Sequence, residues 1–194
     1  MSKRKFKGNK LPSLQKRVVL CLAQEGSQTI NEVKTKIPPP AHYKPTWLAF
    51  KSLGEKGLVQ EVGTKPHRGR NYPTHWLTDE GVLVALIEGA NPETLLKKTR
   101  EIFPENQSLL YYLQIAPTLN PKVLEIGYSA VKTKGKLEPI DLATILLTQM
   151  QTETSIQEFW KTVAILKDHP KQYKSFKKQV EQMFENLSRL KEII

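Results

Sequence analysis

LGEKGLVQEV (Leu53–Val62) and, a short way on, GRNYPTHWLTDEG (Gly69–Gly81) carry the reading of the fold. In the first stretch Gly57 closes a helix and the apolar pair Leu58-Val59 opens a strand. Glycine accommodates the backbone at a helix C-terminus, and the residues after it favour extended chain. Val59–Val62 alternates as a strand, residues 63–71 (GTKPHRGRN) read as a long polar loop with a basic tip, and Tyr72–Leu77 returns as a second strand. Thr78 then caps a fourth helix, with Asp79 and Glu80 set against the positive end of its dipole.

Upstream, Leu14–Gln24 (LQKRVVLCLAQ) places Leu14, Val18, Val19 and Leu22 on one stripe of an amphipathic helix that Glu25-Gly26 ends. Thr29 caps a short second helix with Glu32 as its capping-box partner, and Ile30, Val33 and Ile37 share a face. Three consecutive prolines, Pro38 to Pro40, have no donors and stop it. Pro45 suits the first turn of a third helix running to Lys56. Its core face is Thr46, Ala49, Phe50 and Leu53, and its outer face carries Lys44, Trp47, Leu48, Lys51, Ser52 and Glu55.

Three short helices followed by a basic hairpin is the order of a winged helix-turn-helix. Leu53–Val62 and Gly69–Gly81 resemble the third-helix exit and post-wing segment of MarR- and PadR-type transcription regulators, over about residues 14–89. The resemblance implies that helix three enters a major groove while the wing reaches the adjacent backbone or minor groove. The implied DNA-contacting residues on helix three are Lys44, Thr46, Trp47, Lys51 and Ser52, although Thr46 also falls on the core face. On the wing they are Lys65, His67, Arg68, Arg70 and Asn71. Trp47 and Leu48 either meet thymine methyls or rest on a neighbouring helix or turn, and packing is the favoured reading for Trp47.

Charge agrees with that placement. Met1 to Thr78 contains 15 Lys or Arg against four acids, whereas Asp79 to Ile194 contains 15 of each sign, so the whole net charge of +11 belongs to the first module. A basic patch confined to one module is the footprint of a surface that meets a polyanion. The start, SKRKFKGNK (Ser2–Lys10), lacks periodicity and reads as a disordered arm whose Lys3, Arg4, Lys5 and Lys7 contact phosphates. Lys16, Arg17, Lys34 and Lys36 belong either to the same surface or to its solvated margin.

Other chemistries find no residues to carry them. The single cysteine, Cys21, sits in an apolar run and reads as a buried thiol. The four histidines, His42, His67, His75 and His169, have no metal-ligand spacing. No phosphate-binding loop, nucleophile elbow or HExxH motif occurs. The expectation is a protein that is not an enzyme and holds no cofactor or metal. With no apolar run long enough to span a bilayer and no signal-peptide core, a cytoplasmic location is expected.

The remainder reads as an all-helical body, for a mainly α chain. Its helices are expected near 92–102, 107–115, 121–133, 139–150, 155–167 and 171–194. Leu142–Leu147 is apolar on nearly all sides and belongs at the centre of the bundle. Tyr173, Phe176, Val180, Met183, Leu187, Leu190 and Ile194 recur at alternating spacings of three and four, a heptad stripe fitting either a homodimer seam or an ordinary core helix. The domains are then a disordered arm (1–12), a winged-helix DNA-binding domain (13–90) and a helical dimerisation or effector domain (91–194). No polar cluster there marks a small-molecule effector site. The leading function is a dimeric regulator that reads double-stranded DNA. The alternatives are an architectural or basal nucleic-acid binder reading shape and phosphates, and a winged helix that binds another protein.

Overall fold

The computed structural model describes residues 11–119, 121–151 and 164–191. Helix α1 (Ser13–Glu25) buries Val18, Val19 and Leu22 and ends at Gly26. Helix α2 (Ile30–Lys36) starts with the expected capping box: the Thr29 hydroxyl accepts from the Glu32 amide at 3.3 Å, and the Glu32 carboxylate accepts from the Thr29 amide at 2.9 Å. Helix α3 (Tyr43–Glu55) begins two residues before Pro45, which sits inside the first turn where a missing N–H breaks no intrahelical bond. Thr46, Ala49, Phe50 and Leu53 are its buried face, as the spacing predicts.

The wing is longer and more regular than its composition suggests. Strands β1 (Val59–His67) and β2 (Arg70–Leu77) pair antiparallel from Val59↔Leu77 to His67↔Arg70, with an irregularity between Glu61 and Gly63. Residues 63–71 are therefore not a loop. Arg68 and Gly69 take φ of 50° and 74°, and this two-residue turn with positive φ at both positions follows the right-handed twist of the flanking strands, so pairing continues to the tip. A third chain segment joins the hairpin. Gln28, between α1 and α2, pairs with His75, each amide donating to the other's carbonyl at 3.1 and 2.9 Å.

Helix α4 (Asp79–Ile87) is capped by Thr78, whose hydroxyl accepts from the Gly81 amide at 3.1 Å and donates to the Gly57 carbonyl at 2.5 Å. A Cβ at Gly81 would lie 1.9 Å from the Leu58 carbonyl oxygen, so only glycine lets α4 sit this close to the start of β1.

Helices α5 (Pro92–Ile102) and α6 (Gln107–Ile115), a 3-10 turn (Ala116–Thr118), α7 (Pro121–Lys134), α8 (Pro139–Gln151) and α9 (Pro170–Lys191) form the body, with a helical turn at 164–167 before α9. The first two match the expected bounds, each capped by the asparagine before it, Asn91 and Asn106. Leu142, Ala143, Ile145 and Leu146 are buried, as the apolar run predicts. One hydrophobic cluster runs without a break from Val18 in α1 to Phe176 in α9, because α4 touches both α1 and α7.

The heptad stripe divides. Phe176 is buried in this chain's own core and Val180 packs against it, since α9 lies along α8, so neither is a free seam residue. Tyr173 is 37% exposed. The side chains of Met183, Leu187 and Leu190, together with Ile194, lie outside what is described, as do the basic arm and residues 152–163, which include 155–163 of the expected fifth helix of the body.

Candidate nucleic-acid interface

Helix α3 turns an unusual face to solvent. Tyr43, Trp47 and Leu48 are 49, 43 and 48% exposed, with the exposed Lys44 and Lys51 among them. At about 100° per residue these five positions span an arc of roughly 140° facing away from the core. Packing on a neighbouring element, the favoured reading for Trp47, leaves 43% of the residue exposed, and the Lys51 Nζ lies 5.8 Å from the indole centroid. Thr46 drops out of the surface altogether, being fully buried with its hydroxyl donating to the His42 carbonyl at 2.9 Å. Ser52 is also committed inward. It accepts from the Gln15 side-chain amide at 3.0 Å, while the Gln15 carbonyl oxygen accepts from Lys56 at 2.7 Å, so this group fixes α3 against α1.

On the wing, Arg68, Arg70 and Asn71 are exposed, and among the described residues neither arginine has an acidic partner within ion-pair distance. Lys65 is different, because it is ion-paired to Glu32 of α2. Burial pushes the Glu32 carboxyl up, but hydrogen bonds from Lys65 and Thr29 outweigh it and hold the group below its ordinary value. His67 stacks edge-on against Tyr72, ring centroids 6.2 Å apart.

Between α2 and the wing lies an open groove of about 290 Å³, lined by Asn31, Lys34 and Thr35 on one side and Lys65, His67 and Tyr72 on the other. Lys34 also lies over the Tyr43 ring, 6.0 Å from its centroid. Contacts thus run from the wing through α2 to the first turn of α3. The sequence sets α3 and the wing against one duplex but gives no link between them through α2, whose Asn31 and Thr35 carry no signal beyond lying near a lysine.

Four basic residues left open by the sequence divide between structural and exposed work. Lys16 pairs with Glu88 at 2.5 Å and Lys36 with Glu25 at 2.6 Å. Arg17 donates to the carbonyls of Pro38 and Pro39 at 3.0 and 3.1 Å, pinning the proline turn that aims α3. Only Lys34 joins the groove. His75, beside the wing root, is structural: its ring lies 5.0 Å from Phe50, and burial holds it below its ordinary value. Among the described residues no group of three or more metal-ligating side chains occurs, and no helix is long and apolar enough to cross a membrane.

No family model matches the chain, and no curated protein matches it. A solved structure of Bacillus subtilis PadR in complex with operator DNA is similar to it at 16% identity, covering 93% of this chain and 99% of that chain, with a TM-score of 0.35.

Proposed function

We propose that this chain is a DNA-binding transcription regulator in which residues 13–90 read duplex DNA and residues 91–194 form a body that pairs two copies. The observation that carries this reading is the contact path from wing to α2 to α3, bordered by the exposed cations Lys44, Lys51, Arg68 and Arg70 and by Lys34. One surface then offers a helix for the major groove and a basic hairpin for the backbone beside it. Lys3, Arg4, Lys5 and Lys7 add phosphate contacts from the arm, and His67 and Asn71 flank the tip. Pairing through Leu187, Leu190 and Ile194 would place two readers on a site with two-fold symmetry.

A second reading has its own support. Helix α3 contains no Arg, Asn or Gln, the side chains that most often read base edges by paired hydrogen bonds, which favours an architectural protein gripping phosphates and shape. Selection of bound sequences from a random duplex pool separates the two. A regulator enriches one motif with symmetric halves; an architectural protein binds while leaving the pool unenriched, and an absence of binding even at low salt removes both.

A further inference from the structure

The chemistry that α3 can bring to a base edge is set by what its exposed part displays. Tyr43, Lys44, Trp47 and Leu48 occupy its first two turns, the part of a recognition helix that meets base edges. Thr46 is buried, and the half-buried Ser52, a turn beyond this patch, accepts from Gln15 of α1. Indole and leucine groups standing nearly half exposed on a basic surface are costly in water unless something apolar covers them. In a duplex major groove the apolar group on a base edge is the thymine C5-methyl.

Resting on the duplex-binding reading, we propose that Trp47 and Leu48 are specificity-determining residues that recognise C5-methyl groups of pyrimidines in the major groove. Lys44 and Lys51, interleaved with them, hold the flanking phosphates. The charge of the surroundings commits the patch to a polyanion rather than to an apolar protein partner: Lys34 and Lys51 lie over the rings of Tyr43 and Trp47, and the first 78 residues carry all of the net positive charge. The same chemistry treats 5-methylcytosine as thymine, because both present the methyl at the same ring position.

The test changes only that methyl. Full-length protein is titrated against an alternating A·T duplex and its copy with deoxyuridine for thymidine, and against an alternating G·C duplex and its copy with 5-methylcytosine. Each methyl covered should be worth about fourfold in affinity, the burial of one carbon. Uracil should therefore weaken binding and cytosine methylation strengthen it. Both differences should vanish in the Trp47→Ala/Leu48→Ala variant, whose changes lie on the surface and leave the core intact. Equal affinity for methylated and unmethylated duplexes overturns the inference while duplex binding stands. A methyl effect that persists in the variant removes these two residues from the role. Tighter binding to single-stranded oligo(dT) than to any duplex would mean that the aromatics stack on bases instead. Failure of every duplex to bind takes down the duplex reading itself.

Discussion

Lys65 on the wing is held by Glu32 of α2, and Glu32 also closes the capping box with Thr29, so Glu32→Gln acts on two properties in opposite directions. Stability should fall by about 1 kcal/mol, the sum of a weakened cap and a half-exposed ion pair. DNA affinity should rise, because Lys65 and the groove lose Glu32, the one acid that lines the groove among the described residues. If freed Lys65 neutralises one further phosphate, the plot of log affinity against log salt steepens by about 0.9. Extrapolated from about 1 M salt, that single contact is worth about eightfold at 0.1 M and about fourfold at 0.2 M. Urea unfolding and fluorescence anisotropy with a labelled duplex over a salt series measure both. The pH dependence follows with its own sign. Glu32 is held below its ordinary 4.5, so its contribution is present above that value and is lost as pH falls through the folded-state value. Wild type and variant should therefore converge in stability on acidification. Reduced stability with affinity and salt slope both unchanged would refute the assignment of Lys65 and the groove to the interface.

Arg68→Ala combined with Arg70→Ala should flatten the salt slope by about 1.8 if each arginine meets one phosphate, with folding unchanged; an unaltered slope removes the wing tip from the contact. Gly81→Ala should cost on the order of 3 kcal/mol or more in urea unfolding, since its methyl would overlap the Leu58 carbonyl, and a wild-type midpoint would show that the junction yields. Leu187→Lys should give folded monomers by light scattering if the end of α9 pairs two copies, and either unfolded chain or an intact dimer would refute that seam. Burial, with Glu25 nearby, lifts the Cys21 thiol from 9.0 to about 11. Stability should decline as pH rises between those values, and alkylation of native protein near neutral pH should be slow until denaturant is added.

The helices that announce themselves by caps and periodicity were legible in the sequence. Thr29 with Glu32, Asn91 before Pro92 and the Thr46-Ala49-Phe50-Leu53 face all stand where local rules put them. The distal wing was not, because residues 63–70 are all exposed and show no alternation of buried and exposed positions. Backbone pairing and a two-residue turn hold them, and neither leaves a hydrophobic pattern. The Gln28–His75 pairing is a single bridge, too short for any pattern. The exposure of Trp47 was not legible either, because large aromatic side chains are usually buried and helical spacing alone does not say how much of one its neighbours cover. In α9 the same three-and-four spacing serves both a dimer seam and an intrachain contact, and Phe176 chose the latter through α8.

The junction at Thr78 and Gly81 makes α4 a lever without play. One end is hydrogen-bonded to Gly57 and Leu58, where α3 passes into the wing, and has no room even for a methyl group. At that same end Asp79 accepts from the Asn106 side chain at 2.9 Å, tying it to the start of α6, while α4 packs on both α1 and α7. A displacement of α4 itself meets no slack at this joint and is passed to Gly57 and Leu58, where α3 gives way to the wing. Any event that moves α4 therefore reaches the relative placement of α3 and the wing through a joint without play.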